Sequence, residues 1–294
     1  MRKVSFKSDG TKIVADLYIP EGLSGTAPAL PILGPMTFVK EQAPTEYAKR
    51  LAERGYVALA FDPRYHGESA GEPRRWENPR AKVADARAAV DYLTTLPEVD
   101  AGRIAALAIC QGSSEMIRAA ADDERIRVLA TVAGQYRDRE GDVEWLKEEE
   151  LAIRLTRGER AKAKYETSGE VEYVPAVDPE RTDVGMPGKM VWDWYHKWAE
   201  RGVWENRYAV MSDADLLSYE SRTAAERLRK PYLMIHSDEC FLPAVARRHF
   251  ELVPGADKKL LWENPNQHFQ YYDDPAVIDK AVESIDGWFE QHLR

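Results

Sequence analysis

Short, almost wholly apolar runs alternate with segments whose apolar residues recur at helical spacing. KVSFKS and KIVADLYIP, joined by the turn signal DGT, predict an antiparallel strand pair. ALPILG leads to a helix through EYAKRLAERG, whose closing Gly55 fits a C-cap. YVALAFD, a helix through AKVADARAAVDYLTTL and the strand RIAALAIC follow, and a helix through SSEMIRAAA leads to RVLATVAG. Near the end come YLMIHS, a helix through AVARRHFELV, the strand KLLWEN and a helix through PAVIDKAVESIDGWFEQHL. Strands this continuously apolar are buried on both faces, so the pattern predicts an α/β fold, a mostly parallel sheet with helices on both sides.

The rhythm breaks between Tyr136 and Leu228. That segment is first charged (YRDREGDVEWLKEEE), then punctuated by Gly and Pro, then aromatic (VWDWYHKWAERGVW), and it holds five of the eight tryptophans. Strand alternation returns afterwards, which predicts an inserted cap over 136–228 between core segments 1–135 and 229–294. EWLKEEELAIRL and MVWDWYHKWAERG predict that the cap is mainly helical.

Composition narrows the classes. The 294 residues, 44% hydrophobic and 31% charged, are ordinary for a globular protein with a full core. A net charge of −9 argues against nucleic acid or an anionic membrane as partner, because both demand a basic face. The first twenty residues lack an apolar run of signal-peptide length, and no stretch approaches the ~20 apolar residues of a membrane span, so a cytoplasmic protein is expected. Cys110 and Cys240 are too few for a disulfide framework and match no zinc spacing. With no phosphate-cradling Gly loop and no clustered metal ligands, no cofactor is implied.

The strand RIAALAIC ends on Cys110 and turns at once through Gly112. Three readings compete: a packed thiol, a serine nucleophile at Ser113 or Ser114, or a cysteine nucleophile on a sharp strand-to-helix turn. Such a turn needs small residues two before and two after the nucleophile. Ala108 and Gly112 satisfy this around Cys110, whereas Ser113 is flanked by Gln111 and Glu115, and Ser114 has Met116 on one side. The pattern favours Cys110, with the serines as first helical residues.

A cysteine nucleophile needs a base and a group to orient it. His268, in WENPNQHFQYYDD after the last strand, sits where a loop base belongs; His66 in DPRYHGES is the alternative. IHSDECFLP offers Asp238 and Glu239 as the acid, Asp238 being preferred.

These motifs carry a resemblance to the α/β-hydrolase superfamily over nearly the whole chain. Within it the chain is similar to the dienelactone-hydrolase-like group, which carries Gly-x-Cys-x-Gly where others carry Gly-x-Ser-x-Gly. MTFVKEQ, LAERGYVALAFDPRYHGESAGEPR, LPEVDAGRIAALAICQG and LMIHSD resemble a set of bacterial hydrolases of mostly unassigned function and the fungal polyketide transferases. The resemblance implies Cys110 as nucleophile, His268 as base and Asp238 as acid, with the backbone N–H groups of Met36 and Gln111 as oxyanion hole. The chain departs from the pattern at Ala108, at Gly34-Pro35 and Thr37-Phe38 in the oxyanion loop, and at Cys240, which occupies the usual acid spacing four residues after His236.

The chemistry expected is attack of a Cys110 thiolate, raised in population by His268, on an ester, thioester or lactone carbonyl. The resulting acyl-cysteine passes to water or to a second acceptor, from a small-molecule or carrier-bound acyl substrate. Tyr65, Tyr136, Trp194 and Trp198 are the expected substrate contacts, with the alternative that the tryptophans form the cap's own core. The competing function is a binding protein on this fold, or a catalyst of cyclisation or elimination without an acyl-enzyme.

Overall fold

A computed structural model describes residues 1–255 and 257–293. β1 (Arg2–Ser8) and β2 (Thr11–Tyr18) form the expected antiparallel hairpin. Its two-residue turn, Asp9-Gly10, has φ of 47° and 80°, the left-handed pair that matches the twist of the flanking strands. β3 (Ala27–Leu33), β4 (Val57–Phe61), β5 (Val99–Ile109), β6 (Ile126–Val132), β7 (Tyr232–His236) and β8 (Lys258–Trp262) complete an eight-stranded sheet, in the order β1-β2-β4-β3-β5-β6-β7-β8. β2 runs antiparallel to β4, and the strands from β4 to β8 are mutually parallel.

The first helices are α1 (Ala43–Glu53), α2 (Pro79–Leu93) and α3 (Gly112–Asp122). Between β6 and β7 lie α4 (Arg139–Leu146), α5 (Glu148–Ser168), α6 (Lys189–Glu200), α7 (Ser212–Leu216) and α8 (Arg222–Arg227). α9 (Pro243–Leu252), α10 (Gln270–Asp273) and α11 (Pro275–His292) follow. Successive strand residues point to opposite faces, so Leu30, Ile32, Leu107 and Ile109 pack under α1 and α11. Leu33, Ala106, Ala108 and Met234 pack under α2, α3 and α9. No helix among the described residues is long and apolar enough to cross a membrane.

The β6–β7 segment is helical, with two small ribbons pairing Tyr173–Val174 with Tyr208–Ala209 and Val177–Asp178 with Met186–Pro187. EWLKEEELAIRL is not one helix. It breaks at Lys147, whose φ is +66°, and the Trp145 ring lies against the guanidiniums of both Arg137 and Arg154, 5.2 and 5.4 Å away. Tyr136 and α8 pack with the sheet: Tyr136, Ala224, Ala225 and Leu228 share the core cluster beneath α3 and α9.

The chain leaves β3 for β4 on one side and later enters β5 on the other. The loops beyond β3 and β5 therefore diverge, opening a crevice at the carboxyl edge. Closing it from below is the start of α3, whose Gly112 N–H donates to the Gly34 carbonyl at 3.1 Å. A Cβ on Gly112 would lie 2.6 Å from the Gly34 oxygen and 2.7 Å from the Leu33 oxygen, both backbone. Gly112→Ala is therefore expected to cost about 2–3 kcal/mol, a fall in Tm of roughly 5 °C, measurable by thermal unfolding. An unchanged Tm would mean that this approach is not tight.

Candidate active site

Cys110 is the first residue past β5, at φ +54°. A non-glycine residue in the left-handed region costs about 1 kcal/mol or more, so the surrounding structure has to impose it. The Cys110 N–H donates to the Val132 carbonyl, and its own carbonyl accepts the N–H groups of Ser113 and Gln135. These bonds hold the turn from three directions and lift the sulfur into the crevice. Ser113 and Ser114 do not reach it: both are buried in the first turn of α3, and the Ser114 hydroxyl bonds the Gln135 carbonyl at 2.9 Å.

A slot with about 410 Å³ of atom-free space opens over the sulfur, lined by Met36, Cys110, Gln135, Tyr195, His268 and Tyr272 near its base. Trp145, Met186, Pro187, Val191, Phe241 and Phe269 make its walls, and the apolar character comes largely from them. Four expected contacts lie elsewhere. The Tyr136 hydroxyl bonds Thr131 and Tyr232, both at 2.8 Å, inside the core. Tyr65 packs on Trp76 within the β4–α2 loop, with ring centroids 4.9 Å apart. Trp194 stacks behind Phe269 and donates its indole N–H to Asp273, and Trp198 tilts against Trp194. The indole-rich face of α6 thus backs the wall, and Val191 and Tyr195 on the same helix line the slot.

Four groups favour the Cys110 thiolate: the Tyr272 hydroxyl, the backbone N–H groups of Gln111 and Met36, and the charge of Lys82. Burial outweighs them and pushes the thiol up to about 11. His268 is equally enclosed, and burial, reinforced by nearby His236, pushes it down to about 3. Both shifts favour a neutral thiol beside a neutral imidazole at rest. The Phe241 N–H donates to His268 Nδ1 at 3.3 Å, and Nε2 lies 2.8 Å from the Tyr272 hydroxyl. With Nδ1 accepting, the ring proton sits on Nε2 and is donated to the Tyr272 oxygen. The Tyr272 proton is then left to face the sulfur.

Asp238 is not brought to His268. Two residues past β7 its backbone N–H bonds the Asn264 side chain at 2.8 Å, and its exposed carboxylate pairs with Asn264 and Arg247. Hydration keeps the charge outside, since the interior beside His268 offers Asp238 only a neutral ring. Glu239 is exposed as well. Cys240 is buried at the usual acid spacing, where the Ser237 hydroxyl contacts its sulfur at 3.3 Å. Tyr272 was not singled out by sequence reasoning, although its position four residues after His268 puts the two on one face of a helical turn.

Asp238→Ala is expected to leave turnover of an activated ester within about twofold of the parent. Alkylation of Cys110 by iodoacetamide should rise about tenfold per pH unit from pH 7 to 10, because the thiolate fraction climbs toward a pKa of about 11. A plateau near neutrality would contradict the neutral resting pair.

Comparison with known proteins agrees with this architecture. YcjY of Escherichia coli (strain K12), an uncharacterized protein, is 29% identical over 302 residues, covering 99% of both chains. The crystal structure of the hypothetical protein PA2218 from Pseudomonas aeruginosa superposes with a TM-score of 0.84 at 27% identity, covering 99% of this chain and 93% of that one. The polyketide transferase claH of Penicillium crustosum is 32% identical over 132 residues, 44% of this chain and 43% of its own. The family model described as serine aminopeptidase, S33, matches residues 42–269. That match takes in the strand-to-helix turn, the β6–β7 segment and His268, and the chain therefore belongs to this family of α/β-hydrolase enzymes.

Proposed function

We propose that the protein is a cysteine-dependent acyl-transfer enzyme that opens an ester, thioester or lactone through an acyl-Cys110 intermediate. The observation that carries this is Cys110 in one slot with Met36, His268 and Tyr272, where the backbone N–H groups of Met36 and Gln111 favour its thiolate and Tyr272 bonds His268. Donors fixed in a water-poor crevice stabilise a developing oxyanion with little reorganisation.

Cys110 Sγ bonds to the carbonyl carbon as its proton passes to the Tyr272 oxygen and the Tyr272 proton passes to His268 Nε2. His268 must first carry its own proton on Nδ1, which sacrifices only the 3.3 Å bond from Phe241. The Met36 and Gln111 N–H groups hold the oxyanion. Its collapse breaks the bond to the leaving group, which takes the proton back from Nε2. Water or an acceptor alcohol then attacks the acyl-cysteine, yields its proton along the same route, and the sulfur leaves reprotonated.

The β6–β7 segment acts as a cap over the acyl group, and Trp145, Met186 and Val191 suit an apolar chain. The family is named for a serine, but here the strand ends on cysteine, whose thioester is the more readily passed to an acceptor. A curated relative named thiohydrolase aneE, 32% identical over 124 residues, and claH, named a polyketide transferase, point to the same acyl chemistry.

Intact-mass spectrometry after brief exposure to p-nitrophenyl hexanoate tests the reading. The parent should gain one acyl group, Cys110→Ala none, and His268→Ala should acylate roughly 100-fold more slowly. A folded parent that gains no acyl group, or gains it away from Cys110, would overturn the proposal. Decay of the adduct in water against added alcohol distinguishes hydrolysis from transfer.

A further inference from the structure

The segment HGESAGEPRRWENP, between β4 and α2, contributes no group to the slot, yet it delivers a fully buried carboxylate to the back of the site. Glu77 Oε2 accepts the Thr37 N–H at 2.9 Å, and Oε1 accepts the Gln111 side-chain amide at 3.1 Å. Lys82, itself buried, is ion-paired to Oε1, and His66 Nε2 stands 3.6 Å from Oε2. The Glu77 N–H is donated in turn to the Ser212 hydroxyl at 2.9 Å.

Thr37 is where this matters. Its φ is +58°, an unfavourable conformation for a β-branched residue. The preceding peptide, Met36–Thr37, is held at both ends: its carbonyl accepts the Tyr195 hydroxyl at 2.7 Å and its N–H goes to Glu77. The next carbonyl, that of Thr37, accepts the Trp204 indole N–H at 2.7 Å. Without the carboxylate, the Thr37 N–H has no buried acceptor and rotation of this peptide relieves the strain. The Met36 N–H lies in the adjoining Pro35–Met36 peptide, so freeing Met36–Thr37 releases the residue that carries this donor. The same carboxylate also tethers the side chain of Gln111, whose backbone supplies the second donor, and Glu115 shares that amide at 3.0 Å.

We infer that Glu77 is the positioning residue of the oxyanion hole, tying the loop after β3 and the turn after β5 to one buried carboxylate. The inference rests on the acyl-cysteine reading and adds to it the group that holds both donors in place. Glu77 does not touch the sulfur; it acts through the Thr37 peptide N–H and the Gln111 side chain. Glutamine cannot replace it, because its amide nitrogen would meet a donor on Thr37, Gln111 or Lys82.

Two reactions of the same thiol separate positioning from general damage. Acylation by p-nitrophenyl hexanoate passes through an oxyanion, whereas alkylation by iodoacetamide does not. Glu77→Gln should acylate Cys110 about 100-fold more slowly and alkylate within about threefold of the parent. Equal losses in both reactions, or none in either, would overturn the role. Where Glu77→Gln fails to fold, Gln111→Leu and Trp204→Phe, each removing one side-chain tether while leaving both backbone donors, should show the same split at about tenfold. Absence of the split in both overturns the inference equally. A parent that alkylates but never acylates defeats the acyl-cysteine reading itself and this role with it, an outcome distinct from a parent that acylates with variants that match it.

Discussion

The first turn of α3 lies against the end of β3 closely enough that a methyl group on Gly112 would collide with two backbone oxygens. That approach holds Cys110 in the left-handed region and aligns the N-terminus of α3 beneath the crevice. It also brings the loop after β3 beside the turn after β5. A longer separation would let Cys110 relax to an ordinary helical start and draw the sulfur down into the helix. The parallel order β4-β3-β5 makes the approach possible, because only neighbouring strands whose loops diverge leave a gap to be filled this way.

Burial then sets the chemistry. An enclosed thiol and an enclosed imidazole each resist charge, so the resting site is uncharged at its centre, while a charged cluster of Glu77 and Lys82 lies directly behind it. Buried ion pairs seldom add net stability, since desolvation offsets most of the attraction. What they supply is direction: a carboxylate accepts wherever N–H groups point, and three donors converge on this one. Charge is thus placed behind the sulfur and imidazole, where it can hold backbone in a strained form.

The β6–β7 segment belongs to this arrangement as much as the sheet does. Tyr195 and Trp204 donate to successive carbonyls of the loop after β3, and Ser212 accepts from Glu77. A movement of α6 that opened the slot would therefore also loosen the strained peptide at Thr37. Two hydrogen bonds thus join this segment to the loop after β3, and a third joins it to Glu77.

Much of this was legible in order along the chain. The hairpin at Asp9-Gly10, the alternating strands and helices and the turn at Cys110 are local signals, and the loop position of His268 follows from them, because period-two and period-3.6 patterns are properties of consecutive residues. Residues whose roles depend on where a side chain points were not. Asp238 follows a strand as an acid would, but solvent and Arg247 draw it outward; Trp194 and Trp198 lie behind the wall that Val191 and Tyr195 face. Tyr272 and Glu77 read as ordinary helix and loop residues until folding carries one to His268 beside the sulfur and the other to the Thr37 peptide and the Gln111 side chain, both far from it in sequence. The sequence by itself determined the sheet, its turns and the placement of a thiol at its edge. Tertiary structure alone decided the protonation of that thiol and which groups surround it, because desolvation and hydrogen-bond partnership are set by neighbours distant along the chain.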